Sequence, residues 1–271
     1  DVNFNEVPKR LSYELSKINE KLIGDLLDKF ILDLKNKKII SLKNDYAFIN
    51  TIGDIESIEI SKNEDNKVVK FINKNKKEII VTLDGLGNII GYKNNSIKTL
   101  PYGFLIENRS LEELSIDHCV VIEDDCLIKN KCIKKLYLPD VKCIGRNFLN
   151  DDEELRECVL PRTKYVSDNF IRSARRCFIL DMPRLVMTKN GFMTFNNTLK
   201  HLYLPSIKYM GNGFMTSNKV CEDFDLPKLR KIGFGFMSDN RNAERLMDIY
   251  YHPKHTNIVE EAFNSMKRKI M

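Results

Sequence analysis

Cysteine and histidine are the residue types in this sequence with the most distinctive chemistry. The chain contains seven cysteines and four histidines. An odd number of cysteines and the lack of a Cys-x-x-Cys motif argue against a zinc site or a complete disulfide framework. His252 and His255, in HPKH, have a proline between them and no paired carboxylates. The sequence also lacks a Gly-rich phosphate loop, GxSxG and HExxH, so we expect no metal, no cofactor and no catalytic centre.

The sequence repeats itself every 22 residues, and this period decides where all other side chains can lie. The phenylalanine column contains Phe148, Phe170, Phe192, Phe214 and Phe236, and the proline column contains Pro139, Pro161, Pro183, Pro205 and Pro227. A polar column contains Asn108, Asn130, Asp152, Asn196, Asn218 and Asn240. Fixed-period self-similarity of this kind is typical of a solenoid, in which each unit stacks on the next.

Each unit reads as a short strand, a proline and a return segment. Alternating apolar residues such as Leu202 and Leu204 place both side chains on one face of a strand. We predict strands near residues 114–116, 136–138, 158–160, 180–182, 202–204 and 224–226. Proline ends the strand, Gly145, Gly211 and Gly233 favour a turn, and the following Phe-Met or Phe-Leu pair predicts a short helical or 3₁₀ piece. Stacking would place the phenylalanine column inside and let the polar column bond turn backbone.

Most of the cysteines occupy columns that are otherwise apolar. Cys126 replaces phenylalanine, Cys158 replaces leucine, and Cys177 and Cys221 share a column with leucines. A free thiol behaves as a small hydrophobic side chain at such positions. We therefore predict that these four cysteines are buried and unpaired. Unpaired thiols favour a reducing environment, and hence a cytoplasmic location.

The pattern from Leu199 to Met215, Leu-x-x-Leu-x-Leu-Pro-x-x-x-x-x-Gly-x-x-Phe-Met, resembles the BspA-type leucine-rich repeat of bacterial and protist proteins. The resemblance covers residues 89–242, about seven units. It implies an α/β repeat solenoid, a right-handed leucine-rich-repeat superhelix with a parallel β ribbon. This chain departs from the family in its Phe-Met pair and in a period one residue shorter than usual. Members of the family are mostly adhesion or interaction proteins, which implies a binding role and makes a cell-surface location an alternative.

The two ends of the chain differ from the repeats. In residues 1–88, apolar residues from Leu11 to Leu34 recur at helical spacing, and the segments VVKFI and EIIVTL flank NKNKK as in a β-hairpin. We predict an N-terminal α+β cap there, or a separate functional module. For residues 243–271 we predict a C-terminal cap made of a strand at residues 247–251 and a helix at residues 259–266.

The net charge of +6 is spread thinly along the chain. Residues 97–242 hold 23 basic and 19 acidic side chains, so no segment of the sequence has the charge density of a nucleic-acid-binding region. No apolar run approaches the length of a membrane span, and the first residues show no signal-peptide pattern. We therefore expect a protein partner, no nucleic acid and no membrane span.

Residues between the inward strand positions must face outward from the ribbon. The large or charged ones are the candidate binding residues: Tyr137, Asp181, His201, Tyr203, Asp223 and Asp225. Equivalent positions in adjacent turns are ~4.8 Å apart, which predicts one patch made of all these residues except Tyr137. Tyrosine is enriched in protein interfaces and among their dominant binding residues.

Three hypotheses about function follow from these patterns. The first is a non-enzymatic scaffold that binds another protein through the outward face of the ribbon. The second is a surface adhesin that binds host matrix or carbohydrate. In the third, residues 1–88 carry an activity and the repeats target it.

Overall fold

The computed structural model describes Thr51, residues 55–63 and residues 65–243. The described chain opens with an antiparallel meander made of β1 (Ile55–Asn63), β2 (Asn66–Asn73), β3 (Glu78–Leu83) and β4 (Ile89–Lys93). The β2–β3 pair confirms the hairpin predicted from VVKFI and EIIVTL. The helix predicted near the start of the chain, and the strand and helix predicted after Ala243, lie outside the described residues.

The meander is continuous with the repeats. Strand β4 pairs in parallel with β6 (Glu113–Ser115), the first repeat strand of its kind. The ring of Tyr92 in β4 is buried and packs edge-on against Phe104, with the ring centroids 4.9 Å apart. Its hydroxyl donates a hydrogen bond of 2.7 Å to Thr51 Oγ1, and burial raises the pKa of Tyr92 to about 12. Tyr92 therefore covers the first ring of the phenylalanine column.

Each coil of the solenoid contributes strands to two parallel ribbons. The first ribbon contains β6 together with β8 (Lys135–Tyr137), β10 (Glu157–Val159), β12 (Ile179–Asp181), β14 (His201–Tyr203) and β16 (Asp223–Asp225). The second contains β5 (Thr99–Leu100), β7 (Val121–Ile122), β9 (Cys143–Ile144), β11 (Tyr165–Val166), β13 (Met187–Thr188), β15 (Tyr209–Met210) and β17 (Lys231–Ile232). The predicted strands thus exist and begin one residue earlier than expected, whereas the second ribbon replaces what the sequence indicated was only a turn.

The two ribbons differ in continuity. The second ribbon is one uninterrupted ladder of seven parallel strands. The first is divided, within the described residues, into three hydrogen-bonded groups: β6 with the meander, β8–β10–β12, and β14–β16. The second ribbon therefore joins successive coils by one continuous series of backbone hydrogen bonds.

The predicted helical return piece is wrong. The return segments are turns at residues 102–107, 124–129, 146–151, 168–173, 190–195, 212–217 and 234–239. The second, fourth and sixth residue of every turn has a positive φ, between 42° and 74°. Their amides bond neighbouring coils: Leu127 N donates to Phe104 O in the preceding coil at 2.9 Å, and Asp125 N donates to Arg146 O in the following coil at 2.8 Å. Hydrogen bonds between coils thus replace those that a helix would make within itself.

The phenylalanine column fills the interior, as predicted. Phe104, Phe148, Phe170, Phe192, Phe214 and Phe236 are buried. The last five stack in series, and the shortest distance between ring centroids, 4.7 Å, is that between Phe192 and Phe214. Fully buried aromatic side chains supply much of the hydrophobic stabilisation of a small core.

The polar column is also buried and bonds backbone, as predicted. The Asn130 side chain accepts hydrogen bonds at Oδ1 from the amides of Cys132 and Ile133. Its Nδ2 donates to the carbonyls of Asn108 and Leu111 in the preceding coil, at 3.0 and 3.2 Å. Asparagine therefore satisfies backbone groups of two coils at once, which a hydrophobic residue could not do.

Close packing of successive coils requires glycine directly after the second-ribbon strand, as at Gly211. A Cβ added to Gly211 would lie 2.4 Å from the carbonyl carbon of Lys189 in the preceding coil. The same turn has Asn190 Oδ1 accepting a 2.9 Å hydrogen bond from Asn212 N. The glycine column thus allows a close approach of successive coils.

None of the seven cysteines, all of which lie in the described part of the chain, forms a disulfide, and six are buried. Burial raises the pKa of Cys119 to about 11 and that of Cys177 to about 12. Cys143, which belongs to no apolar column of the sequence, is buried in β9. Cys132 is the partly exposed member and donates its thiol proton to Arg109 O at 2.9 Å.

We expect seven reactive thiols per chain when the protein is denatured without reductant, because none of the seven cysteines forms a disulfide. In the native protein Cys132 should react first and the six buried thiols slowly, since a buried thiol is both inaccessible and protonated. Labelling with a thiol reagent followed by mass spectrometry checks the count and the site. A count of five or fewer after denaturation would show a disulfide.

Candidate interaction surface

The six candidate residues lie in the strands of the first ribbon and face solvent. Tyr137 and Tyr203 expose 59% and 55% of their surface, although both lie within hydrogen-bonded strands. Asp181, His201, Asp223 and Asp225 are exposed as well. Leu136 and Leu202, the middle residues of the two tyrosine strands, are buried, so strand alternation presents the tyrosines outward.

The candidates belong to two hydrogen-bonded groups of strands. In β14–β16, His201 lies opposite Asp223 and Tyr203 lies opposite Asp225, and His201 Nδ1 is 2.9 Å from Asp223 Oδ2. In β8–β10–β12, Tyr137, Val159 and Asp181 share one register. Asp181 therefore belongs to the hydrogen-bonded group of Tyr137, and its equivalent in the next coil, Tyr203, begins no ladder with it.

The charge of this face changes along the ribbon. Toward the meander, Lys135 Nζ lies 2.8 Å from Glu157 Oε1, so that lysine neutralises that carboxylate. Farther along, Asp181 and Asp225 have no ion-pair partner within the described residues. The end of the ribbon nearer Ala243 is therefore acidic, and the ring of His201 lies against one of its carboxylates, that of Asp223.

Two apolar residues at this face were not selected from the sequence. Phe178 exposes 52% of its surface and Ile179 exposes 41%. Ile179 is the first residue of β12 and lies opposite Glu157, while Phe178 precedes it and its amide bonds Arg156 O at 3.0 Å. A signal did exist for Phe178, because the other members of its column are charged: Glu112, Lys134, Arg156, Lys200 and Glu222.

The metal-ligating and thiol side chains do not converge on one site within the described residues. No group of three or more His, Cys, Asp or Glu residues among them could hold a metal ion, and His252 and His255 lie outside them. Burial raises the pKa of the buried thiols Cys126, Cys158 and Cys221, which is the opposite of what a nucleophilic cysteine requires.

A cleft of about 550 Å³ lies where the meander meets the first coils. It is lined by Lys77, Glu78, Ile80, Lys93, Asn95, Ser96, Lys98 and His118. Its one acidic wall residue, Glu78, forms an ion pair with Lys70 at 2.7 Å. The cleft therefore has a basic lining, opposite in sign to the acidic end of the first ribbon.

Comparison with protein-family models, with curated proteins and with solved structures gives no match for this chain. None of the helices within the described ranges is long and apolar enough to cross a membrane. The geometry of the solenoid is thus the basis for a functional assignment.

Proposed function

We propose that this protein is a non-enzymatic scaffold that binds a protein partner through the first ribbon. The observation that carries the proposal is the set of large apolar and aromatic side chains left exposed there: Tyr137, Phe178, Ile179 and Tyr203. Clustered exposed apolar surface on a soluble fold is typical of an interaction site. Carboxylates with no ion-pair partner among the described residues adjoin it at Asp181 and Asp225.

The chemistry of this face specifies the kind of partner. Aromatic and aliphatic side chains beside free carboxylates complement a segment that combines apolar anchors with lysine or arginine. The ribbon is built on coils connected by the uninterrupted second ribbon, so little conformational entropy is lost when it binds. Steering by the carboxylates acts mainly on the association rate and weakens with salt.

We further propose that the repeat belongs to the BspA type of leucine-rich repeat. Support comes from the Leu-x-x-Leu-x-Leu-Pro pattern together with the 22-residue coil and its parallel strand after each buried leucine. A scaffold with a variable outward face agrees with this assignment, because repeat folds use such faces for recognition.

The double change Tyr203→Ala with Asp225→Lys tests the binding face. Both side chains are exposed, so the thermal midpoint of unfolding should stay within a few degrees of the wild type. Capture of partners from source-cell lysate, quantified by mass spectrometry, should lose at least one protein that the wild type retains by more than about tenfold, which corresponds to one hot-spot residue.

The matched control carries the same two types of change on the return turns of the last coil. Phe234→Ala with Asp239→Lys alters two exposed residues that lie outside the strands of the first ribbon. It should retain every partner. Partners that survive the ribbon change and disappear on deletion of residues 1–50 would instead assign the activity to the N-terminal module. That deletion leaves the meander and its pairing with β6 intact.

A further inference from the structure

The proline turns form one continuous edge of the solenoid. In the last four proline turns the residue before proline accepts a hydrogen bond from the residue three positions later, as from Thr163 N to Leu160 O at 3.2 Å and from Leu229 N to Leu226 O at 3.1 Å. Proline takes the second position of this β-turn, and the third position is its tip. The tip residues of the last four coils are Arg162, Arg184, Ser206 and Lys228.

A second row of side chains follows two residues after the tips. Its backbone forms a ladder from coil to coil: Lys164 N donates to Lys142 O at 2.9 Å, Lys208 N donates to Val186 O at 2.8 Å, and Arg230 N donates to Lys208 O at 2.9 Å. Adjacent members of such a ladder are ~4.8 Å apart, so the last four coils span ~15 Å.

Six of the eight side chains in these two rows are cationic and none is acidic. We name them the basic edge: Arg162, Lys164, Arg184, Lys208, Lys228 and Arg230. Arg162 bonds Asp140, the acidic tip of the preceding coil, at 2.7 Å. The other five have no ion-pair partner within the described part of the chain. Counting charge along the sequence does not reveal this cluster, because its members are up to 68 residues apart in the chain.

We infer that the basic edge binds the phosphate backbone of a single-stranded nucleic acid. The two rows run side by side along one edge of the solenoid, and a single narrow edge fits one chain of phosphates better than the two backbones of a duplex. Tyr165 and Tyr209 directly follow Lys164 and Lys208 and are half-buried. Partly exposed aromatic rings beside a basic row are the arrangement on which unpaired bases stack. This role is independent of the protein partner proposed for the first ribbon.

The test measures binding of a fluorescently labelled oligothymidine to the full chain by anisotropy as a function of salt. If roughly four phosphates are contacted, the logarithm of the binding constant should fall with the logarithm of salt with a slope of about −3. The triple change Lys164→Gln, Lys208→Gln and Arg230→Gln should reduce that slope by about 2 and weaken binding at least tenfold at low salt. Tyr165→Ala should weaken binding of the oligonucleotide about tenfold, yet leave binding of inorganic polyphosphate unchanged.

A matched control removes three exposed cations from another side of the coils. Lys131, Arg175 and Lys219 share one column, and changing all three to glutamine lowers the net charge by the same amount. This variant should keep the wild-type slope. An equal loss in both triple variants would show a general charge effect and overturn the inference, as would the absence of oligonucleotide binding at low salt. Binding of heparin or of anionic vesicles without oligonucleotide binding would assign the edge to a different polyanion and also overturn it.

Discussion

Replacing Phe214 by alanine is expected to lower the free energy of unfolding by about 3–5 kcal/mol. Phe214 is fully buried, and its ring centroid lies 4.7 Å from that of Phe192 and 5.6 Å from that of Phe236. The change removes apolar surface and opens a cavity between two rings held by separate coils, so neighbouring coils cannot collapse into it without breaking their ladder. Urea unfolding followed by circular dichroism measures the loss.

A matched control for this prediction lies 20 residues later in the chain. Phe234 is 72% exposed, so Phe234→Ala should change the free energy of unfolding by less than about 0.5 kcal/mol. Phe104 and Phe236 lie at the ends of the described column and have fewer stacked neighbours. Replacing either by alanine should therefore lower the free energy of unfolding by less than Phe214→Ala does. A loss below about 1 kcal/mol for Phe214→Ala would contradict the stacked interior.

The second large effect is expected from Asp152→Asn, which should stabilise the protein by about 2–4 kcal/mol above pH 7. Asp152 occupies the polar column, where other coils have asparagine. Its Oδ1 accepts the amides of Glu154 and Leu155 at 2.9 and 3.1 Å, as asparagine does. Its Oδ2 is buried and has no hydrogen-bond partner among the described residues. In another coil the equivalent residue is Asn196. Its Nδ2, which corresponds to Oδ2 of Asp152, donates to two carbonyls of the preceding coil at 2.8 and 2.7 Å.

The effect depends on pH in a direction set by the pKa. Burial raises the pKa of Asp152 to about 7, whereas an aspartate in an unfolded chain has a pKa of about 3.9. Between these values the folded protein holds a proton that the unfolded chain has lost, so the wild type becomes less stable as the pH rises from about 4 to 7. The stability difference between Asp152→Asn and the wild type should therefore be smallest near pH 4 and largest above pH 7, as measured by urea unfolding at several pH values.

The reverse substitution provides the control. Asn218 donates from Nδ2 to Leu199 O at 3.2 Å, so Asn218→Asp should introduce the same buried, unpartnered oxygen and destabilise the protein at neutral pH. The loss of stability caused by Asn218→Asp should become smaller as the pH falls toward 4. Equal stability of wild type and Asp152→Asn at all pH values would mean that the Asp152 carboxylate is hydrated in solution.

The buried columns could be predicted from the sequence because a solenoid repeats the same environment. Phe170, Phe192 and Phe214 recur at one step, and a residue that recurs so faithfully occupies the same interior place in each coil. The asparagine column was predictable for the same reason, since buried amides are retained where they bond backbone. The second ribbon was not, because a strand of two residues with one inward side chain has no alternation to detect.

The return turns could not be predicted from local preference. Glycine and asparagine at their second residues, as in Gly191 and Asn169, agree with a positive φ. Leu149 and Ile171 at the fourth residue do not, because large and β-branched side chains avoid the left-handed region. The amide of Ile171 bonds Phe148 O at 3.0 Å, so a contact with the preceding coil holds a conformation that the residue itself disfavours.

The exposure of the candidate binding residues could be predicted from the sequence. The division of their strands into hydrogen-bonded groups could not. Alternation in β14 places His201 and Tyr203 outward, which is a local property of a strand. The division between β12 and β14 depends on how the coils hydrogen-bond along the first ribbon, and no residue type marks it. The exposed Phe178 could have been found from the sequence, because the other members of its 22-residue column are charged.

The side-chain connections between coils bear on how the gene for such a protein changes length. Asp168 Oδ1 accepts the amide of Asn190, Asn190 Oδ1 accepts that of Asn212, and Asn212 Oδ1 accepts that of Phe234. Loss of one whole 22-residue unit would join Asp168 to the amide of Asn212 and leave an equivalent bond in place of the lost one. Loss of any other number of residues would turn charged columns toward the phenylalanine core. Unequal recombination between repeats is therefore tolerated only in whole units, and it lengthens or shortens the binding face without redesigning the interior.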